Sequence, residues 1–175
     1  WSYGKNSLKN ENVIVLGVDP GMNNTGWGVV EGKNMNFKHI ANGCIISNKK
    51  WKVEKKLENI FYNLEKIIEE FKPMYGAVEK VFVNINAQSS LKLGQVRGVI
   101  LLGLARSKVP IGEYSPNQIK KSLSGYGHAS KDQILKMLSH IFPEVKIFND
   151  DSGDALAIAI CHLMNVKFLD EKDLY

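Results

Sequence analysis

The sequence predicts an α/β domain whose five-stranded mixed sheet is covered by helices on both faces. Residues 12–47 contain three strand-like segments joined by short Gly- and Asn-containing connections, which is typical of an antiparallel meander. From residue 51 onward, helical periods alternate with apolar strands, which favours parallel pairing and helices on both faces. The 175 residues, of which 44% are hydrophobic, suffice for one domain with a sizeable core.

The predicted elements follow one another along the chain. The three antiparallel strands are expected at residues 12–19, 25–31 and 36–47. In residues 51–71, apolar side chains recur every three or four positions, which predicts an amphipathic helix that ends before Pro73. The remaining elements are a strand at 75–83, a helix at 89–107, a strand at 109–114, and helices at 116–123, 131–141 and 150–164. Residues 145–148 fit no single pattern.

Composition and charge bound the class of protein. The formal net charge of +5 weakly favours a polyanionic partner such as nucleic acid. No apolar run reaches the length of a membrane span, and the N-terminal residues lack the apolar core of a secretory signal. Cys44 and Cys161 are too far apart for a disulfide framework or a zinc motif, which suits a reducing cytoplasm. We expect a flexible N-terminal extension at 1–11, a folded domain at 12–166 and a C-terminal tail at 167–175.

An acid ends the first predicted strand. In VIVLGVDPG, Asp19 is followed at once by Pro20 and Gly21. Asp is disfavoured inside strands, and proline cannot donate to a sheet ladder. One interpretation is ordinary turn chemistry that stops the strand. The other is that a buried strand carries a metal-binding carboxylate to the edge of the sheet.

Three more acids stand in apolar surroundings. Glu79 lies in the predicted strand AVEKVFV, where the alternative is an edge residue paired with Lys80. Asp151 and Asp154 lie three residues apart at the start of an apolar helix, so both side chains can project from one face. The alternative for this pair is helix capping. Because Asp150 directly precedes Asp151, either residue could be the first member of the pair.

Together the four acids predict a metal site. Clustered carboxylates repel one another unless they are protonated or bridged by cations, and oxygen ligands favour Mg²⁺ or Mn²⁺. Two such ions about 4 Å apart activate a water and stabilise the leaving oxygen of a phosphodiester. The sequence contains no GxxxxGK[ST] loop, GxSxG elbow or HExxH helix.

Three segments resemble a known family. LGVDPGMNNTGWGVVE, AVEKVFVNINAQSSLKLGQVRG and DSGDALAIAICH resemble, in order and spacing, the three acidic motifs of RuvC-type Holliday junction resolvases. The similarity extends from Val13 to about His162. It implies an RNase H-like fold and a homodimer that makes Mg²⁺-dependent paired nicks across a four-way DNA junction in recombination and repair. It also implies a bacterial cytoplasmic enzyme, two metal ions per site with Mn²⁺ as a substitute, and a RuvAB-like branch-migration complex as a partner.

The resemblance assigns roles to individual residues. The catalytic and metal-binding acids would be Asp19, Glu79, Asp151 and Asp154, although some relatives carry a histidine at the position of Asp151. DNA binding is assigned to Phe82, Lys120 and Lys131. The residues alone also allow a core aromatic at Phe82, and a solvated helix face for the two lysines. His162, two turns beyond Asp154, is interpreted as structural.

Gly94, Gly98 and Gly103 occur at one-turn and near-one-turn spacing in the helix predicted at 89–107. Each glycine costs about 1 kcal/mol of helix stability relative to alanine. Close approach of the sheet or of a second subunit would offset that cost. Because this helix lies near the dimer contact in the resembled family, we expect the second subunit.

Three rival functions remain at this level. Actin-like and sugar-kinase ATPases also place Asp-x-Gly turns against phosphates, but they need two lobes and a longer chain. A junction-binding module would require the acids to be structural. Another RNase H-like nuclease would act on RNA or on simple duplexes, and a panel of substrates would separate it from a resolvase.

Overall fold

The computed structural model, which describes residues 12–33, 35–80, 86–125 and 127–166, begins with three antiparallel strands. They are β1 (Val13–Asp19), β2 (Asn24–Lys33) and β3 (Asn36–Ile46). β1 pairs with β2 from Val13 opposite Gly32 to Asp19 opposite Gly26, and β2 pairs with β3 with one register shift at Val29/Val30. The predicted meander is confirmed.

The rest of the described chain alternates helices with two further strands. In order, the elements are α1 (Val53–Phe71), β4 (Tyr75–Glu79), α2 (Ala87–Arg106), β5 (Ile111–Tyr114), α3 (Pro116–Ser124), α4 (Lys131–Ile141) and α5 (Asp150–Asn165). The strand order is β3-β2-β1-β4-β5, with β4 parallel to both β1 and β5. The predicted five-stranded mixed sheet is therefore confirmed.

Element boundaries differ from the sequence prediction at several places, including β4 and α2. β4 ends at Glu79, whereas the predicted strand continued to residue 83, and residues 81–85 lie outside the described part of the chain. α2 begins two residues before the predicted start because Asn86 caps it, accepting hydrogen bonds from the backbone N–H groups of Gln88 and Ser89. Residues 145–148 have no regular secondary structure. The predicted extension 1–11 and tail 167–175 also lie outside the described residues.

The sheet has a separate core on each face. Side chains alternate along β1, so Val15 packs with Leu156 and Ile160 of α5, whereas Leu16 packs with residues of α1 and α2 on the other face. α5 is buried along most of its length against β1 and β2. Helices therefore cover both faces, and α5 is the one that runs to the carboxyl end of β1.

His162 is a core residue, as the sequence interpretation holds. Its side chain is almost fully buried, its Nδ1 lies 2.7 Å from the hydroxyl oxygen of Tyr114, and its ring centre lies 5.0 Å from that of Tyr75. Burial lowers the pKa of His162 to about 4, so the ring is neutral at physiological pH. Both cysteines are free thiols, and none of the described helices is long and apolar enough to cross a membrane.

Candidate active site

Asp19 and Glu79 end two adjacent parallel strands. β1 and β4 pair in register as far as Val18 opposite Val78, so the next residue of each strand lies at the same edge of the sheet. After Asp19 the chain turns sharply, and the hydroxyl of Thr25 donates to the carbonyl of Gly21 at 2.7 Å. A Cβ on Gly21 would lie 2.1 Å from the carbonyl oxygen of Asn24. The turn is therefore too tight for any other residue at this position without a shift of the backbone.

The first turns of α5 bring the other two acids to this edge. Asn149 caps the helix by accepting a hydrogen bond from the Ser152 N–H at 2.9 Å, and Ser152 returns a bond to the backbone of Asn149. Asn149 thus provides the cap of α5. Asp151 and Asp154 do not cap the helix, which was the alternative considered from the sequence.

Asp19, Asp151 and Asp154 converge on one point. One oxygen of each carboxylate lies within 4.8 Å of the others, and all three side chains are half-buried. Burial, followed by the charges of Asp154, Glu79 and Asp151, raises the pKa of Asp19 to about 8, against the opposing charge of Lys131. Without a bound cation this cluster holds more negative charge than it can stabilise. The set of oxygen donors fits a divalent cation such as Mg²⁺ or Mn²⁺.

Glu79 lies beside this cluster. Burial and the charge of Asp154 raise its pKa, and the charge of Lys120 lowers it. Among the described residues it forms no ion pair with Lys80, which was the alternative from the sequence. Glu79 is therefore influenced by Asp154 and Lys120 rather than paired with Lys80.

Lys120 and Lys131 flank the acids. Both line a cavity of about 270 Å³ together with Glu79 and Asp154. The Nζ of Lys131 lies 3.5 Å from an oxygen of Asp154 and 3.6 Å from one of Asp150. The cavity thus brings carboxylates and ammonium groups together, as a site for a phosphate ester and a cation requires. Phe82, the third predicted DNA contact, lies outside the described residues.

Asn42 is a positioning residue that the sequence reasoning missed. Its Oδ1 accepts a hydrogen bond from the Phe148 N–H at 2.8 Å, and its Nδ2 donates to the carbonyl of Lys146 at 3.2 Å. The same Nδ2 contacts the Nε2 of His39 at 2.8 Å. These bonds tie β3 to the segment that leads into α5. No sequence signal links position 42 to positions more than 100 residues later.

Arg97 is a second such residue. It stands in the LKLGQVRG segment, and its Nη1 donates to the carbonyl oxygen of Glu79 at 2.7 Å. Its Nη2 pairs with Glu113 of β5. A guanidinium that bonds a main-chain carbonyl and a carboxylate together fixes the end of β4, where Glu79 is placed. The segment belongs to the second resembled motif, but the sequence did not show which residue holds the strand end.

Comparison with known protein families gives a match over most of the chain. The profile of the family "Crossover junction endodeoxyribonuclease RuvC" matches residues 15–162. A crossover junction endodeoxyribonuclease RuvC from Rickettsia akari is 44% identical over 157 residues, which cover 89% of this chain and 100% of the relative. The corresponding protein from Brucella ovis is 41% identical over 152 residues, covering 87% and 88%.

Solved structures give the same result. The Thermus thermophilus RuvC in complex with a Holliday junction substrate matches with a TM-score of 0.82 and 27% identity, covering 87% of this chain and 93% of that chain. The yeast mitochondrial Holliday junction resolvase Ydc2 matches with a TM-score of 0.62 at 12% identity and covers 90% and 82%, which shows a shared fold. The RNase H-like fold predicted for this chain is thereby confirmed.

Proposed function

The chain belongs to the family of crossover junction endodeoxyribonucleases RuvC, and we propose that its clustered acids are the site at which it cuts four-way junction DNA. The protein is a structure-selective DNA endonuclease that resolves Holliday junctions in recombination and repair. Membership of this family removes the ATPase alternative. The site assignment rests on one observation. Asp19 of the first strand and Asp151 and Asp154 of the last described helix each place a carboxylate oxygen within 4.8 Å of the others.

The four acids have a common role in this proposal. Asp19, Glu79, Asp151 and Asp154 hold the divalent cations that the family uses, and we propose two Mg²⁺ ions per site. Cations held there supply an activated water and stabilise the leaving oxygen of the phosphodiester. The raised pKa of Asp19 supports this assignment, because a site with surplus negative charge binds cations in exchange for protons.

A substrate panel tests this function. The protein is incubated with a four-way junction, a linear duplex, a flap and an RNA–DNA hybrid, with Mg²⁺, and the nicks are mapped on both strands. We expect symmetrically paired nicks in the junction and at least about a hundredfold slower cleavage of the other three, about 2.7 kcal/mol in activation free energy. Equal cleavage of the hybrid would favour the general RNase H-like nuclease, and junction binding without cleavage would favour the binding module.

Lys120 and Lys131 are proposed to bind the phosphodiester backbone at the site. Lys131→Ala removes a positive charge that contacts Asp154, so we expect weaker junction binding but a lower Mg²⁺ requirement for residual cleavage. Each lysine that contacts one phosphate contributes about 0.9 to the salt slope of binding. Junction binding is measured at several salt concentrations for Lys120→Ala and Lys131→Ala, with Lys136→Ala, exposed on α4, as the control. Unchanged slopes in both variants would contradict the phosphate role.

Phe82 stays a prediction as a residue that contacts bases near the crossover. We further propose the bacterial cytoplasm as the location and a RuvAB-like branch-migration complex as a partner. The bacterial sources of the RuvC relatives support the proposed location.

We also propose that the protein acts as a homodimer, because two symmetric cuts require two sites. α2 offers a face for this contact. Leu91 and Leu102 are 65% and 54% exposed, and Gly94 and Gly98 lie between them on the same side of the helix. A Cβ at either glycine would meet nothing within 4 Å, so no neighbour within the described chain requires a glycine there. Gly103 differs, because its Cβ would lie 2.9 Å from Leu64 of α1, so its small size serves packing within the subunit.

Enlarging Gly98 should weaken the dimer. A leucine at this position holds the two α2 helices apart, so Gly98→Leu is expected to shift the protein towards monomer and to let singly nicked junctions accumulate. Sedimentation at several concentrations measures the first effect, and mapping of nicks over time measures the second. Lys136→Leu adds the same side chain on α4 and serves as the control for sedimentation. A wild-type protein that stays monomeric on junction DNA and still makes paired cuts would contradict the dimer.

A further inference from the structure

The connection between β3 and α1, together with the first turn of α1, carries most of the net charge of the chain. Residues 47–56, SNKKWKVEKK, contain five lysines and one glutamate, a net +4 of the formal +5. We refer to these residues as the basic turn. Four of its lysines are exposed, and the side chain of Trp51 is 39% exposed. This combination of cations and an exposed aromatic side chain is typical of surfaces that bind nucleic acid.

The basic turn lies at the same edge of the sheet as Asp19. Ile46, the last residue of β3, pairs with Asn24, and the Ser47 N–H donates to the carbonyl of Asn23 at 2.9 Å. Asn23 belongs to the turn that follows Asp19. β3 is two strands from β1, a distance of about 10 Å. Lys120 and Lys131 follow β5, at the other end of the strand order, so the acids have basic groups on both sides.

Hydrogen bonds hold the basic turn in a defined conformation. Asn48 accepts hydrogen bonds from two backbone N–H groups, that of Lys50 at its side-chain oxygen (2.9 Å) and that of Trp51 at its carbonyl (3.0 Å). The buried Nζ of Lys56 donates to the carbonyl of Lys49 at 3.1 Å and to the side-chain oxygen of Asn23 at 2.7 Å. The surface is therefore ordered before any ligand binds, which lowers the entropy lost on binding.

We propose that the basic turn binds the sugar-phosphate backbone of a duplex arm of the junction, beside the strand being cut. This inference rests on the proposed function, because DNA whose scissile phosphate lies at Asp19 carries further phosphates past neighbouring loops. Duplex DNA has one charge per about 1.7 Å of its axis, so phosphates necessarily come within about 10 Å of the acids. Lys49, Lys50 and Lys52 neutralise phosphates, and the indole of Trp51 packs on a deoxyribose or an unstacked base.

The acids within and next to the basic turn do not cancel its charge. Glu54 is exposed on the first turn of α1, and Glu58 pairs with Lys55 at 3.2 Å. Lys55 also lies over the ring of Trp51, with its Nζ 5.8 Å from the ring centre. The other exposed lysines of the basic turn, Lys49, Lys50 and Lys52, form no ion pair among the described residues.

A charge-matched comparison tests the proposal. The variant Lys49→Gln/Lys50→Gln/Lys52→Gln is compared with Lys33→Gln/Lys38→Gln/Lys66→Gln, which removes three exposed lysines away from the acids. Junction binding is measured by anisotropy in metal-free buffer over a range of salt concentrations. We expect the basic-turn variant to lose about 2 to 3 units of salt slope and about 10- to 100-fold in affinity near 0.1 M salt. The control variant should keep the wild-type slope.

Hydroxyl-radical footprinting locates the contact on the DNA. The wild type and the control should protect the backbone of the arm beyond the cut, and the basic-turn variant should leave that region exposed. A wild-type slope and footprint in the basic-turn variant would overturn the proposal. The double variant Lys49→Gln/Lys50→Gln leaves Lys52 at the start of α1 unchanged, so it gives the same test if the triple variant melts early.

The role of Trp51 has a separate readout. Trp51→Ala should lower junction affinity several-fold with no change in salt slope, and Trp51→Phe should restore most of it. Unchanged affinity in Trp51→Ala would overturn the packing of the indole on DNA.

A nicking assay at saturating protein concentration distinguishes failure of this proposal from failure of the proposed function. The basic-turn variant should still make paired nicks there, whereas a wild type that makes none would refute the function itself.

Discussion

Asp19→Asn is expected to abolish junction cleavage and at the same time to raise the melting temperature of the metal-free protein. Loss of the carboxylate removes one of the proposed cation ligands of the cluster. We expect a fall in cleavage rate of more than about a thousandfold, equivalent to about 4 kcal/mol in activation free energy. Junction binding in metal-free buffer should be retained, because the lysines proposed to contact DNA are unchanged. Glu79→Gln should lose cleavage to a similar extent.

The stability effect follows from the pKa of Asp19. Its value is about 8 in the folded protein and 3.8 in the unfolded chain. Between these pH values the unfolded chain has released the proton while the folded protein still holds it. This group therefore lowers the free energy of unfolding as the pH rises from about 4 to about 8. The amide side chain of the Asp19→Asn variant does not titrate, so the variant should gain most over the wild type near pH 8.

Thermal melts at pH 5.5 and pH 8 in chelating buffer, together with a nicking assay, measure both effects. Added Mg²⁺ should raise the melting temperature of the wild type and leave that of Asp19→Asn unchanged. Glu144→Gln, an exposed acid outside the site, serves as the control and should behave like the wild type in both assays. Full nicking activity in Asp19→Asn or in Glu79→Gln would contradict the assignment of the active site.

Gly26→Ala should disable the same site without removing any of its functional groups. A Cβ at Gly26 would lie 2.1 Å from the carbonyl oxygen of Asp151 and 2.8 Å from its Cβ. The carbonyl group and the Cβ of Asp151 are fixed by the backbone of α5 and cannot rotate away. The helix α5 must therefore move away from β2. Asp151 would then move away from Asp19. We expect at least about a hundredfold slower cleavage, since misplacement by about 1 Å has effects of this size.

Three measurements test Gly26→Ala: the cleavage rate, the Mg²⁺ concentration that cleavage requires, and the melting temperature. The loss of stability should be about 1–3 kcal/mol, typical of overpacking, so the protein remains folded. The variant should need more Mg²⁺, because its ligands no longer converge. Gly127→Ala is the matched control, since a Cβ there would make only ordinary contacts, with Asn117 at 3.5 Å or more. Wild-type cleavage by Gly26→Ala would show that the close approach of α5 to β2 does not set the position of Asp151.

The fold and the acids were predictable because their signals are local. Strand ends and helix starts follow from periodicity and turn residues, so Asp19 at the end of β1 and Asp154 at the start of α5 could be assigned to one sheet edge. The contacts of Asn42 with Lys146 and Phe148 could not, because they join residues more than 100 positions apart. They depend on how α5 crosses the sheet, which no short pattern specifies.

The glycines of α2 show the same limit within one helix. In sequence, Gly94, Gly98 and Gly103 look equivalent, and a single explanation in terms of a second subunit was expected for all three. In the structure Gly103 accommodates Leu64 of α1, whereas the other two are open. The rotation of α2 about its axis makes this difference, and that rotation is set by packing against α1. The composition likewise gave the net charge but not its concentration beside the acids.

The wide spacing of the acids along the chain has a consequence during synthesis. Asp19 leaves the ribosome early, but the proposed site also includes Asp151 and Asp154, which belong to the last described helix. At about 5–20 residues per second, roughly 7 to 27 s separate the translation of Asp19 and Asp154. In that interval the nascent chain has no complete cluster. A truncated product that stops before α5 would therefore lack two of the four proposed cation ligands, and we expect it not to nick DNA.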